Sequence, residues 1–171
     1  MTKLTPKKNM RFHLAIDASN ISSGGGLTHL SQLLDNYDSS SSGIKKMTIW
    51  SNNATANYLP NHSWLIKRSP SWCERNIFIR FFCQQFLLLG EMKRNKCEIL
   101  FSPGGTIPFN CPLPVVTMSQ NMLPFEEDKA NHFGRLSIMR VKMLLLKFVQ
   151  GKSFKVANGV IFLTKYAENF I

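Results

Sequence analysis

Pro114-Val115-Val116-Thr117-Met118-Ser119-Gln120-Asn121-Met122-Leu123-Pro124-Phe125 is the stretch on which the reading of the fold turns. A short apolar run, Val115 and Val116, breaks into three polar side chains, Ser119, Gln120 and Asn121, and Pro124 then redirects the chain. A buried parallel strand ends this way when its carboxyl edge faces a ligand crevice. In an open α/β sheet the crevice lies just beyond those strand ends, so side chains there meet the substrate. The same arrangement occurs near the start of the chain. Residues 12–17, Phe-His-Leu-Ala-Ile-Asp, read as a strand running into Ser22-Ser23-Gly24-Gly25-Gly26 and then into a helix beginning near Leu27.

Outward from these two landmarks, strands and helices alternate. A first strand is expected over 11–17. A helix over 26–36 carries Leu27, Leu30, Leu33 and Leu34 on one face, the spacing of a packed helix. A serine-rich loop at 38–43 leads to a strand at 47–50. A polar stretch, 52–61, has room for a single helical turn, and 63–67 reads as a short strand. Residues 72–95 read as one long helix, apolar on most faces, closed by Lys93, Arg94 and Lys96, whose charges offset the helix dipole. A strand at 98–102, a turn at Pro103-Gly104-Gly105 and the strand at 115–118 follow. Then come a charged loop at 126–133, a second long helix at 135–150, a strand at 159–163 and a helix starting near Lys165. Strands alternating with helices predict an α/β fold with a parallel, doubly wound sheet and flanking helices.

The chain has 171 residues, 44% of them hydrophobic, which fits one globular domain with a real core. Residues 1–10 are polar and lysine-rich, read as a flexible lead-in; they lack the apolar segment of a signal peptide. No apolar run approaches the ~20 residues that span a bilayer. The richest, 78–90, is interrupted by Arg80, Gln84 and Gln85. Cys73, Cys83, Cys97 and Cys111 share no metal- or redox-type spacing and lie among apolar residues, so reduced thiols in a cytoplasmic protein are expected.

Charge is the strongest compositional signal. Lys and Arg number 21 against 10 Asp and Glu, a net charge of +11. That balance predicts attraction to the phosphates of nucleic acid, anionic lipid or a sugar nucleotide, or else serves as a solubility surface. No nucleic-acid-binding motif and no interleaving of aromatic with basic residues is found, so no nucleic-acid partner is expected. The four histidines, His13, His29, His62 and His132, have no metal-ligand spacing, and no metal is assigned. No Gly-x-Ser-x-Gly element places a serine nucleophile.

The glycine loop has chemistry of its own. Glycines at a strand-to-helix turn let the backbone approach a phosphate, and the helix amino terminus offers N–H donors. The loop is not a dinucleotide fingerprint, because His29 occupies the third glycine position. It is not a P-loop either, since no Gly-Lys-Ser/Thr follows. A plain tight turn would use the same glycines.

Strand, Gly24-Gly25-Gly26 loop, helix, the polar switch before Met122-Leu123-Pro124-Phe125, and then Ala157-Asn158-Gly159-Val160-Ile161-Phe162-Leu163-Thr164 together resemble a family 4 retaining glycosyltransferase. The likeness is to the amino-terminal, Rossmann-like half of its two-domain GT-B architecture and covers residues 11–171. It implies transfer of a sugar from a nucleotide-sugar donor to an acceptor hydroxyl with retention, in cell-surface polysaccharide or lipopolysaccharide assembly. It implies no cofactor beyond that substrate. By the same likeness Gly24, Gly25 and Gly26 lie near the donor diphosphate, and Ser119 and His29 near the acceptor or sugar. Many relatives carry a His-Asp pair at the positions of Gln120 and Asn121. This chain departs there: neither amide can act as a general base, though both can hydrogen-bond a sugar hydroxyl or a developing charge. A polar strand end capped by solvent would look the same.

The resemblance further implies a carboxyl-terminal donor domain, so the chain is expected to be a fragment, a truncated frame or half of a split enzyme. It also brings a carbohydrate or lipid-linked acceptor as partner, and peripheral contact with the inner face of an anionic membrane. The basic residues Arg135, Arg140, Lys142, Lys147, Lys152 and Lys155 have no acidic neighbour, but at 100° per residue they do not gather on one face. A core helix with solvated flanks accounts for them equally. A non-catalytic basic Rossmann-like module that binds an acidic partner or a membrane surface is the alternative reading of the whole chain.

Overall fold

Strand alternation decides which side of the sheet each helix covers. In the first strand, β1 (Phe12–Asp17), Ile16 points into one apolar cluster and Ala15 into another. Successive side chains of a strand face opposite ways, so the sheet needs cover on both faces. The structure, a computed structural model, describes residues 12–39, 43–120 and 138–170.

Five further strands join β1: β2 (Ile44–Trp50), β3 (Leu65–Arg68), β4 (Ile99–Ser102), β5 (Val115–Ser119) and β6 (Gly159–Phe162). Every pairing is parallel, and the six strands lie in the order β3-β2-β1-β4-β5-β6. This is the doubly wound, Rossmann-like order, with its topological switch between β1 and β4.

Helix α1 (Gly24–Asp35) buries Leu30 and Leu34 against Ile16, Met47 and Ile49. Each of those two leucines contributes about 1.5–3 kcal/mol by leaving water. The short α2 (Asn53–Tyr58) packs on the same side, tied down by the Thr55 hydroxyl donating to the Ile21 carbonyl at 2.8 Å. The opposite face is covered by α3 (Ile77–Arg94), which buries Gln84, Leu88 and Met92, one residue per turn. Leu88 and Met92 pack there with Ala15, Trp50 and Leu100. Helix α4 (Ile138–Val156) lies beside α3, and α5 (Lys165–Phe170) follows β6.

Several expectations need correcting. The long helix expected over 72–95 is two elements: a 3-10 turn, Ser71–Glu74, and then α3. Asn76 separates them, because its side chain accepts from the Ile79 N–H and starts a new helix. The helix expected to end at 150 continues through Gly151 to Val156. Helix α1 begins two residues earlier than Gly26, at Gly24. The strand at 115–118 includes Ser119 as its last residue. The lead-in at 1–10, part of the serine-rich loop, Asn121, the loop at 126–133 and the start of the second long helix lie outside the described residues. Among the described residues no helix is long and apolar enough to cross a membrane.

Candidate functional site

The carboxyl edge of the sheet carries the polar chemistry of this domain. At the switch point, Asp17 ends β1 and Ser102 ends β4. The Asp17 carboxylate accepts from the Ser19 N–H at 3.1 Å and from the Gln84 side-chain amide of α3. That same amide donates to the Thr106 carbonyl and hydroxyl at 3.0 and 3.1 Å. The Ser102 hydroxyl also donates to the Thr106 carbonyl, at 2.6 Å, and Asn20 donates to the Thr106 hydroxyl at 2.6 Å. Arg80 donates to the Ser19 carbonyl at 3.1 Å. Complete burial pushes the Asp17 carboxyl above its ordinary range, against the pull of Gln84, Ser19 and the nearby Arg80. Asp17 therefore serves as a buried anchor; no substrate proton can reach it directly.

The loop after β1 opens toward solvent at the start of α1. Ser23 is the N-cap by backbone geometry, but its side chain makes no capping bond, and no acidic residue lies in the first turn. The first N–H groups of α1 thus lack the side-chain acceptor that usually satisfies them.

The three glycines there have three different explanations. Gly24 has φ +70°, a left-handed conformation that favours glycine. A Cβ on Gly26 would lie 2.7 Å from Oε1 of Gln120, so that glycine makes room for the glutamine. Gly25 has an ordinary φ, is exposed, and a Cβ on it would meet nothing within 4 Å. Nothing among the described residues accounts for a glycine at that position.

Gln120 reaches this turn from the end of β5. Its amide nitrogen lies 3.5 Å from Nδ1 of His29 and 3.3 Å from the Met118 sulfur. The fold therefore brings Gly26, His29 and Gln120 together, with Gly24 and Gly25 at the open end of the same turn. Ser119 is buried at the last position of β5, so its hydroxyl is not presented to solvent. Asn121 lies outside the described residues.

The Asp17–Gln84–Thr106 network was not anticipated. Its one sequence signal is the interruption of the apolar run 78–90 by Arg80, Gln84 and Gln85, the first two of which turn inward to the switch point. Gln85 turns to the following loop, donating to the Ile107 carbonyl and accepting from the Phe109 N–H. All four cysteines are free thiols. Burial pushes Cys73 up to about 12 and Cys97 up to about 11. Among the described residues no group of three or more His, Cys, Asp or Glu side chains could hold a metal ion.

These features define a Rossmann-like α/β domain with a buried polar network at its topological switch. Comparison of the chain with protein-family models, with curated proteins and with solved structures finds no match.

Proposed function

We propose that this domain is the acceptor-side half of a retaining glycosyltransferase, which transfers a sugar from a nucleotide-sugar donor to an acceptor hydroxyl. The observation that supports this reading is Gly25: an exposed glycine beside uncapped N–H groups, with no conformational or packing reason among the described residues, one position before the glycine that Gln120 approaches. A diphosphate could come against the backbone there, because no side chain stands in the way. In this reading Gly24, Gly25 and Gly26 border the donor diphosphate. Gln120 hydrogen-bonds the transferred sugar, and His29 beside it shapes the acceptor side. The acceptor is a carbohydrate or a lipid-linked saccharide of a cell-surface polysaccharide pathway, and the protein works in the cytoplasm at the inner face of the membrane.

The test joins residues 1–171 to a carboxyl-terminal donor-binding domain and measures sugar transfer. Gly25→Val and Gln120→Leu are each expected to lower transfer by about tenfold or more while the melting temperature holds. Residues 1–171 alone are expected to give no multiple-turnover transfer. Multiple turnover by the isolated chain, or unchanged transfer in both variants, would overturn the proposal. The net charge of +11 favours one second reading, a non-catalytic module for an acidic partner. Salt-sensitive binding of polyanions, indifferent to sugar nucleotides, would be its signature.

A further inference from the structure

The two edges of the sheet are finished differently. At the β3 edge, the Met47 N–H donates to the Trp64 carbonyl at 2.8 Å and the Ser51 N–H to the Arg68 carbonyl at 3.1 Å. Backbone groups alternate along a strand, so those of Leu65 and Lys67 turn outward. The turn before β3 closes that side. The Leu65 N–H donates to the His62 carbonyl at 3.1 Å, and the Lys67 ammonium donates to the Leu59 carbonyl at 2.5 Å and to the Asn61 side-chain oxygen at 2.8 Å. Pro70 follows two residues after the strand. A lysine, a covering turn and a nearby proline are devices that keep an edge strand from pairing further.

The β6 edge has none of them. The Asn158 N–H donates to the Val115 carbonyl at 2.9 Å. By the same alternation Val160 and Phe162 turn their backbone groups toward β5, and Gly159 and Ile161 turn theirs away. β6 is the last strand of the sheet, and among the described residues no backbone group meets those of Gly159 and Ile161. Residues 156–164, Val-Ala-Asn-Gly-Val-Ile-Phe-Leu-Thr, contain no charge and no proline. Ile161 and Leu163 are 41% and 52% exposed, and Val156 and Tyr166 on either side are 46% and 57% exposed. An unguarded, uncharged, apolar edge is a template for another strand.

We propose that β6 pairs with β6 of a second copy of this chain, joining two six-stranded sheets into one. The strands run antiparallel about a two-fold axis at Ile161, whose N–H and carbonyl meet the carbonyl and N–H of its counterpart. That register sets Val160 against Phe162 and Gly159 against Leu163 of the other copy, a β-branched residue against an aromatic one and the smallest residue against a large one. The edge has no charge with which to select a charged partner, and its own sequence is the uncharged strand that complements it. Two paired edges cover on the order of 1,000 Å² in all, the lower limit for a specific interface, so the dimer is weak and reversible. The net charge of +11 on each copy opposes the approach, and association tightens as salt screens it. Neither donor nor acceptor takes part, so the dimer stands or falls independently of glycosyl transfer.

The test is sedimentation equilibrium of the full chain from about 10 μM to about 1 mM, without nucleotide-sugar or acceptor. A monomer–dimer equilibrium is expected, at least about threefold tighter at about 1 M salt than at about 0.1 M. Ile161→Lys gives β6 the kind of residue that guards β3 and should weaken the dimer at least about tenfold. Phe82→Lys is the control: it adds the same charge at a position 64% exposed on α3 and should leave the dimer within about twofold of wild type. Ile161→Cys, oxidised with copper phenanthroline, should form an interchain disulfide that the wild type lacks. The Cα atoms of a hydrogen-bonded antiparallel pair lie about 5.5 Å apart, within disulfide reach. The cysteine variant decides the matter if Ile161→Lys does not fold.

A monomer at every concentration overturns the proposal, as does a dimer that folded Ile161→Lys leaves intact. Equal weakening by Phe82→Lys assigns association to the exposed face of α3 and overturns the β6 edge. A dimerising protein whose Ile161→Cys variant forms no interchain disulfide refutes the register. Sugar transfer by a strictly monomeric protein would sink the dimer and leave the glycosyltransferase reading standing.

Discussion

Gly25→Ala separates a glycine kept for the fold from a glycine kept for a ligand. Gly25 lies in the first turn of α1, exposed, with an ordinary φ and no atom within 4 Å of the place a Cβ would take. Alanine there meets no clash and no strain. It restricts the unfolded chain and improves helix propensity, which together stabilise by roughly 0.5–1 kcal/mol. In a domain of this size that raises the melting temperature by about 1–4 °C. The same methyl group stands where a diphosphate would approach the backbone, so binding of a nucleotide-sugar should weaken. Gly25→Val extends the obstruction, at the cost of some helix propensity. The assays are thermal unfolding followed by circular dichroism and titration with nucleotide-sugars by calorimetry. A destabilised Gly25→Ala protein would mean that the site is packed in a way the geometry does not show. A stabilised protein with unaltered ligand binding would mean that the glycine serves no ligand, and the phosphate reading of the loop would be lost.

Gly105→Ala should do the reverse and destabilise by about 1–2 kcal/mol, since Gly105 has φ +77° and a Cβ would lie 3.0 Å from the Gln150 side-chain nitrogen; an unchanged urea midpoint would refute this. Because burial raises the Asp17 carboxyl, the folded state holds that proton more tightly than the unfolded chain, and stability falls as pH rises from the ordinary carboxylate range through the raised value. Asp17→Asn should therefore gain stability relative to wild type across that window, and parallel denaturation midpoints at every pH would contradict the assignment. With its thiol pushed up to about 12, Cys73 should react with an aromatic disulfide reagent about three orders of magnitude more slowly than a free thiol near neutral pH, becoming reactive only on unfolding. Rapid native-state labelling of Cys73, read by mass spectrometry, would show that its surroundings open.

The sheet was legible because parallel strands covered on both faces read as short apolar runs between turn residues. Phe12–Asp17 and Val115–Ser119 have that form. The break before α3 was not legible, because Trp72 and Cys73 continue the apolar pattern across it. Only the side-chain cap at Asn76 marks the new start. Part of the candidate site followed from topology: Gln120 and His29 are 91 positions apart, yet two carboxyl ends of one parallel sheet bring them together. The Asp17–Gln84–Thr106 network had no such signature. No local period links those positions, and a glutamine in a helix otherwise rich in phenylalanine and leucine reads as a solvent-facing residue until the crossover from β3 to β4 turns it inward.

Where the unsatisfied polar atoms collect distinguishes the two ends of the sheet. Stability alone would fill the gap at the switch point with apolar side chains, because a buried polar group without a partner costs about 1–3 kcal/mol. Among the described residues, six buried side-chain atoms lack a partner: Ser19 Oγ, Trp50 Nε1, His62 Nε2, Arg80 Nε, Gln84 Oε1 and Gln150 Oε1. Ser19, Arg80 and Gln84 belong to the Asp17 network, Trp50 ends β2, and Gln150 faces Gly105 in the turn after β4. All but His62 thus lie at the carboxyl edge. A packing defect would fall at either edge with equal chance, and a fold selected only for stability would remove it. Concentration at the edge where doubly wound sheets meet their ligands is what a site leaves behind when it holds polar groups against the interests of the core. Gly25, which no described side chain crowds, lies at that same edge.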